Sequence, residues 1–511
     1  MKSLITVKNV VLLFILIVYS AIFQTQTTAQ TSTIYLDSTR QVIRGFGAAN
    51  IVGWRPDMTA DEINTAFGTG DGQLGFTILR LRISPNSNDF SANVPTALAA
   101  YNMGVHIIAS PWSPPPWMKT NNNIIGGELY DTSYASYVAH LKSFGDYMAS
   151  NGVQLDGISV QNEPDITVGY ESCDWNGSQM KRFMRDYAPS VNYPIFCPES
   201  YQFIKTISDS VLNDPVAAAN TAFIGGHVYG GGIAPYPLAK SLGKELWMTE
   251  HFTESGHSGN DWPLALDVAA DINDCMSVGM SAYVWWYIVR YYGPIGDGTN
   301  NTGAGEVTKR GYIMSQYSRF VRPGYVRVDA TNNPGIYVTA YKDTSRIVIV
   351  AINYFTTTKD LTVELQGGTV PAFTPYVTSQ AKNCNQESDV SVSNHSFAAT
   401  LDASSITTFV SDGTVGVIAE TSAPTEFKLC QNYPNPFNPT THIKYSIPKS
   451  EYILLKVYNL LGEVVATLFE GYQQAGTHSI IFDGSGLTSG VYLYQLSSSK
   501  FIETKKLILL K

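Results

Sequence analysis

Gly157-Ile158-Ser159-Val160-Gln161-Asn162-Glu163-Pro164 is a short apolar run closed by an amide, a carboxylate and a proline. A carboxylate at the carboxyl end of a buried strand is how an α/β barrel presents chemistry at one rim. A second run, Glu245-Leu246-Trp247-Met248-Thr249-Glu250, has the same form. Either glutamate alone is as readily a structural ion pair. Two in the same placement, among many aromatics, point to a facing pair. Such a pair serves as general acid/base and nucleophile in glycosidic bond cleavage.

Outward from these runs, apolar segments near residues 44–48, 76–83, 105–110, 195–198, 222–227 and 280–286 alternate with helix-like stretches such as 135–150 and 179–187. Between Arg44 and Ser318 this alternation predicts a (β/α)8 barrel. A doubly wound sheet is the rival, but it ordinarily carries a phosphate-binding glycine motif after its first strand. Gly45-Phe46-Gly47 lacks the third glycine, and Gly230-Gly231-Gly232 reads as a loop. After Phe320-Val321-Arg322-Pro323-Gly324 the pattern changes to short alternating strands near 335–341, 346–353, 361–365 and 405–410, a side-associated β-sandwich. Thr33-Ile34-Tyr35-Leu36-Asp37 reads as a strand placed to join it. A third, proline-rich start at Asn432-Tyr433-Pro434-Asn435-Pro436-Phe437-Asn438-Pro439 precedes alternating segments near 452–459, 478–482, 490–497 and 503–511. The expected division is a signal peptide at 1–30, a catalytic barrel at 44–321, a side β-sandwich from 31–43 and 322–412, a linker at 413–424 and an immunoglobulin-like C-terminal β-sandwich at 425–511.

The chain has 511 residues, a formal net charge of −9 and only 15% charged residues, which leaves no electrostatic footprint for nucleic acid or anionic membrane. Its 31 Tyr, 22 Phe and 8 Trp suit stacking on sugar rings as well as they suit β-rich cores. Lys2 and Lys8, an apolar run from Val10 to Phe23 and a small polar exit near Ala29 read as an export signal, and no later segment approaches membrane-spanning length. Five widely spaced cysteines show no metal-type pair. A Cys173–Cys197 disulfide and buried free thiols both stay open. No metal or organic cofactor is expected.

Gln161-Asn162-Glu163-Pro164-Asp165 and Leu246-Trp247-Met248-Thr249-Glu250, with Val42-Ile43-Arg44-Gly45-Phe46-Gly47, Ala109-Ser110-Pro111-Trp112, Trp285-Trp286-Tyr287, Arg310-Gly311-Tyr312 and Val321-Arg322-Pro323-Gly324-Tyr325-Val326-Arg327, resemble glycoside hydrolase family 30, in its bacterial glucuronoxylanase subfamily (subfamily 8). The resemblance covers roughly Ser32 to Asp412. It implies a retaining endo-β-1,4-xylanase on glucuronate-decorated xylan, with Glu163 as acid/base and Glu250 as nucleophile. It also implies that Arg290, Tyr292 and Ser255 hold the 4-O-methylglucuronate branch. Phe252 departs from the pattern, which has Tyr there, so one hydroxyl contact is missing. Asn432 to Pro439 and Gly490-Val491-Tyr492 resemble the sorting domain of cargo of the type IX secretion system, which implies that machinery as a partner.

Around this pair, Asn162 is placed to donate to a sugar hydroxyl, and Trp112 and Trp286 to form ring-stacking walls. His227 and Tyr229, after the sixth strand, are expected to line the cleft. Glu199 reads as a supporting carboxylate, and Trp117 stays undecided. Arg290 has a plainer alternative as a surface residue paired with Asp297. Rival functions are another activity of the family, glucosylceramidase or β-1,6-glucanase, and a secreted carbohydrate-binding or adhesion protein on an inactive barrel. The expected partners are xylan and the secretion machinery, with the chain a monomer.

Overall fold

The computed structural model describes residues 30–253, 255–411 and 426–510. The expected signal peptide, apart from Gln30, and the expected linker lie outside the described residues. Two compact units are present, Met1–Gly416 and Val417–Lys511.

In the first unit eight parallel strands close into a barrel: Gly45–Asn50, Ile78–Ile83, His106–Pro111, Gly157–Ser159, Ile195–Ser200, Thr221–His227, Leu246–His251 and Met280–Tyr287. The first and last pair with each other and complete the ring. Helices between successive strands, such as Val94–Asn102, Tyr134–Ser150 and Asp267–Ser277, cover the outside. Alternation in each strand divides its side chains between two cores. Leu79, Leu81 and Ile83 face the helices, while Ile78 joins Ile108, Phe196, Phe223, Trp247 and Val284 in a plug inside the barrel. Three rings of that plug stack in series, Phe196 on Phe223 at 4.5 Å and Phe223 on Trp247 at 4.2 Å. The plug closes the bottom, so any open space must lie above it. Gly47 is required by the close packing of the first two strands, because a Cβ there falls 1.8 Å from the Ile78 carbonyl oxygen.

Beside the barrel a second sheet runs in the order Asn385–Gln386, Ala372–Thr378, Ser405–Ser411, Ile347–Asn353, Ile336–Lys342, Val326–Ala330, Gln30–Val42, Lys359–Gln366, Ser396–Leu401. The N-terminal strand sits within it, antiparallel to Val326–Ala330 and parallel to Lys359–Gln366. Ile347–Asn353 is buried at all 7 positions. Ile347, Ile349 and Ala351 pack inside the sandwich, and Val348, Val350 and Ile352 pack on the barrel. One strand thereby serves two cores, which explains its unbroken apolar run.

The second unit is a sandwich of a three-stranded sheet (Lys428–Leu429, Thr440–Ile447, Gly476–Asp483) and a four-stranded sheet (Val464–Gln473, Glu451–Tyr458, Gly490–Ser497, Ile502–Leu509). Alternating Ile443, Tyr445 and Ile447 meet Leu455, Val457 and Tyr494 between them. The proline-rich start is held by its asparagines. Asn432 Nδ2 donates to Thr441 Oγ1 at 2.9 Å, and Asn435 Oδ1 accepts from the Ile508 backbone at 2.8 Å. The five cysteines are free thiols, with Cys173 and Cys197 both buried. No helix among the described residues is long and apolar enough to cross a membrane.

Each unit closes its own apolar core, so a chain ended after Ser411 is expected to keep the barrel and its side sheet folded. Circular dichroism and thermal melting check this. The outcome expected is a cooperative transition coinciding with that of the barrel in the full chain, and a truncated chain without one would overturn it.

Candidate active site

Above the plug, the carboxyl ends of the strands gather polar groups from across the sequence. The second strand directs Ile78, Arg80 and Arg82 inward in turn, taking the inner layer from apolar to charged. In the seventh strand Trp247 points inward, while Leu246 and Met248 face the helices. Strict alternation sends Glu250 outward with Met248. The pairing with the eighth strand is irregular between Met248 and His251, and this re-aims Glu250 into the barrel. Glu163, just past the fourth strand, has φ 46°, and Glu199, at the end of the fifth, has φ 58°. Both occupy the left-handed region that costs a non-glycine residue energy, and the Glu163 amide donates to the Glu199 carbonyl at 3.1 Å.

Arg80 is fully buried at the centre. Its Nη1 donates to Glu250 Oε2 at 2.5 Å, its Nη2 to Asn162 Oδ1 at 2.7 Å and to Glu199 Oε1 at 3.1 Å, and its Nε to Ser110 Oγ at 3.2 Å. The Trp112 ring lies 4.7 Å from the guanidinium carbon. Tyr229 donates its hydroxyl to Glu250 Oε1 at 2.9 Å. Glu163 receives the Tyr170 hydroxyl at 2.7 Å and faces His227 Nδ1 at 3.0 Å. One oxygen of Glu163, one of Glu250 and a nitrogen of His227 lie within 4.8 Å of one another. That is closer than the ~6.5–9.5 Å at which paired carboxylates leave room for an attacking water.

The electrostatics follow from three carboxylates and two cations sharing a dry space. Burial would strip the proton from His227, but Glu250, Glu163 and Glu199 hold its pKa up at about 9. Burial would raise the Glu199 carboxyl, but Arg80 and His227 hold it down at about 2. Glu250 moves upward from its ordinary value, first through burial and then through the charge of Glu163, against the pull of His227, Arg80 and the Tyr229 hydroxyl. An upward shift runs against a nucleophile's need to be ionised. Burial is its main cause, and the nearby charge of Glu163 adds to it. The hydrogen bonds decide where the charge rests: both Glu250 oxygens accept, one of them from a guanidinium that can only donate.

The cleft over these groups has a volume of about 410 Å³. Trp54, Trp112, Trp286 and Tyr287 wall one part, and Tyr170, Tyr201, Tyr229 and Phe252 another. The three tryptophans touch, with Trp112 5.4 Å from Trp54 and 5.7 Å from Trp286. Trp112, packed on Arg80 and 2% exposed, shows the cleft little more than an edge. His227 corrects the sequence expectation. It is wholly buried behind Glu163, because its strand brings it in below the rim, and so does not line the cleft. Asn162 is buried with its carbonyl turned to Arg80, which makes its NH2 the donating edge. Beyond the eighth strand, Arg290 pairs with Asp297 at 3.1 Å, the plainer arrangement named above. Tyr292 is buried against Phe252 at 5.4 Å, and Tyr291 donates to the carbonyl of the exposed Ser255 at 2.9 Å. Trp117, 62% exposed, stands on the surface.

Sequence reasoning did not single out Arg80, Trp54, Tyr170 or Tyr287. For Arg80 a signal existed, since Arg80 and Arg82 share one face of an otherwise apolar strand. Trp54 and Tyr170 sit in loops whose sequence has no period, and Tyr287 is the last residue of the eighth strand. The fold also brings Glu163 and Glu250 to His227 from distant segments, three side chains of metal-ligand type in one place. Arg80 already holds the Glu250 oxygen as a cation, and a protonated His227 donates where a metal ligand must accept.

Among known proteins, the family described as "Glycosyl hydrolase family 30 TIM-barrel domain" matches residues 49–186, and "Secretion system C-terminal sorting domain" matches residues 431–510. Glucuronoxylanase XynC of Bacillus subtilis (strain 168) is 43% identical over 391 residues, covering 74% of this chain and 91% of that protein. The crystal structure of the family 30 subfamily 8 xylanase Xyn30A from Clostridium acetobutylicum superposes with a TM-score of 0.68 at 38% identity, covering 75% of this chain and 99% of that one. That of an endoxylanase from Clostridium papyrosolvens C71 gives 0.68 at 36%, covering 75% and 100%.

The buried ions set a pH window for stability. His227 is raised from 6.5 to about 9, so its contribution is full below 6.5 and drains as pH rises to about 9. Glu199 is lowered from 4.5 to about 2, so its contribution is full above 4.5 and is lost as pH falls toward 2. His227→Gln is expected to lower stability by about 3 kcal/mol near pH 6. It should also flatten the decline in Tm expected of the native chain between pH 6.5 and 9. Melting curves across that range check it, and a variant retaining the full decline would count against a charged His227.

Proposed function

The chain belongs to glycoside hydrolase family 30, and from that premise we propose that it is an exported, retaining endo-β-1,4-xylanase acting on glucuronate-decorated xylan. The reading rests above all on the close approach of Glu163 and Glu250, with Glu250 held as a carboxylate between Arg80 and Tyr229. Glu250 attacks the anomeric carbon while Glu163 gives its proton to the departing oxygen, and water then hydrolyses the glycosyl-enzyme with Glu163 as base. Arg80 restrains the nucleophile, so little reorganisation accompanies attack. His227, hydrogen-bonded to Glu163 on the side away from the cleft, supplies a positive neighbour when Glu163 must become anionic. Asn162, its carbonyl fixed by Arg80, presents its NH2 to a sugar hydroxyl beside the scissile bond. The tryptophan cluster provides apolar surface for xylose rings, which carry no charge of their own.

Substrate choice is assigned to the loop after the eighth strand. A guanidinium fork suits a uronate carboxylate, and Tyr291 and Tyr292 flank Arg290 with ring centroids 4.8 and 5.8 Å from its guanidinium carbon. Phe252 leaves that site one hydroxyl short of the subfamily pattern. The C-terminal sandwich is read as the address for type IX export.

Glu163→Gln and Glu250→Gln are each expected to abolish cleavage of glucuronoxylan, and proton NMR of the native reaction should show the β-anomer first. An α-anomer appearing first would overturn retention. Glu250→Gln unpairs one side of a buried guanidinium and Glu163→Gln one side of a buried imidazolium, so each should lower stability by about 3 kcal/mol.

Arg290→Ala should lower kcat/KM on glucuronoxylan by about one to two decades, the loss of one charge-assisted contact. Equal losses on glucuronoxylan and on unbranched xylo-oligosaccharides would return the assignment to xylan in general.

A further inference from the structure

At the rim of the cleft two guanidiniums converge on one carboxylate oxygen. Arg55 Nη2 and Arg290 Nη1 each lie 3.1 Å from Asp297 Oδ2. Oδ1 accepts from Thr299, from its amide at 3.2 Å and its hydroxyl at 2.6 Å. The side chain of Asp297 is 6% exposed, against 31% for Arg55 and 29% for Arg290. Burial raises the Asp297 carboxyl, but the Thr299 contacts and the two guanidiniums bring it below the ordinary carboxylate range, so it is anionic. Arg55 comes from the loop after the first strand and Arg290 from the loop after the eighth, which are neighbours where the barrel closes. The cluster borders the catalytic cleft. Tyr287 lines both that cleft and an adjoining cavity of about 210 Å³ that contains Arg55 and Asp297.

Charge counting gives this arrangement a consequence. Were Arg290 alone on Asp297, the pair would be neutral. An incoming carboxylate would then compete with Asp297 for the same fork and meet its repulsion. Arg55 on the same oxygen makes the cluster two cations to one anion. The other carboxylates of the adjoining cavity keep neutral hydrogen-bond partners and form no ion pair with Arg55 or Arg290 among the described residues. Asp57 accepts from Asn50 and Thr96, and Glu62 caps the start of its own helix through Thr59. The buried Nε of Arg55 has no hydrogen-bond partner among the described residues, and the Asp297 contact orients its guanidinium. We propose that Arg55 is a specificity-determining positioning residue, which neutralises Asp297 so that the charge of Arg290 remains available to the acidic branch of the substrate. Asp297 then acts as a hinge pin, holding both guanidiniums in place while cancelling only one. This inference rests on the branch reading of Arg290 above.

The test uses the full chain and compares kcat/KM on glucuronoxylan with kcat/KM on unbranched β-1,4-xylo-oligosaccharides. Arg55→Gln turns Asp297 and Arg290 into a neutral pair and is expected to lower the decorated-to-unbranched ratio about fivefold, chiefly through KM on the decorated polymer. Arg55→Lys should retain most of the ratio. Combining Arg55→Gln with Asp297→Asn restores one net positive charge, and the ratio should recover, an outcome that a merely structural role for Arg55 does not produce. An Arg55→Gln enzyme with an unchanged ratio, or a double variant with a ratio lower still, overturns the proposal. Arg290→Ala separates the two readings. If it leaves the ratio intact, the branch reading falls and takes this inference with it. If it removes the preference while Arg55→Gln does not, only the role of Arg55 is lost.

Discussion

Arg80 carries a full positive charge into the middle of a barrel, where an unpaired ion would cost several kcal/mol. That cost is met only by partners in fixed positions, and the partners are the groups that chemistry requires. Glu250 takes one NH2 of the fork, Asn162 and Glu199 share the other, and Trp112 covers the flat face. A guanidinium is planar, so it transmits orientation. Any rotation of one partner breaks the contact of another. The nucleophile candidate, the Asn162 amide and the Trp112 ring are thereby set by one side chain that does not line the cleft.

The backbone is bent to meet this demand. Glu163 and Glu199 stand in left-handed conformations, and a pairing irregularity turns Glu250 inward against its strand's alternation. Such departures persist only where the surroundings over-determine them. Here the stacked plug of Phe196, Phe223 and Trp247 holds from below the strands that carry Glu199, His227 and Glu250. Ile347–Asn353, buried on both faces, ties the side sheet to the barrel. Rigidity below and beside the site lets its upper layer hold geometry that local preferences oppose.

The alternation of apolar runs and helices made the barrel legible in sequence, because each strand must satisfy a core on either side. The two glutamates were legible for the same reason, since a carboxylate ends an apolar run only where the buried layer ends. What escaped was whatever depends on contact across the barrel. Nothing near His227 says that it meets Glu163, and nothing near Glu250 reveals the bulge that turns it. Arg80 was the nearest miss, its inward direction following from simple alternation with Arg82. The loop aromatics Trp54 and Tyr170 carry no period, and their places, like that of Tyr287 at the end of the eighth strand, are set by the closed ring.

Charge is laid out in two zones that do different work. The inner zone holds three carboxylates against Arg80 and His227, so its positive groups are consumed where they stand and exert little pull on a distant polymer. The chain as a whole carries a formal charge of −9 and would repel an acidic polysaccharide at long range. At physiological ionic strength that repulsion fades beyond about 8 Å. On the proposed reading a favourable local field then decides binding, and the rim cluster of Arg55, Arg290 and Asp297 would provide one. Separating the zones allows the centre to stay balanced for proton transfer while the rim keeps a net positive charge. Moving that charge inward would disturb the pair of glutamates, and moving it farther out would lose it to solvent.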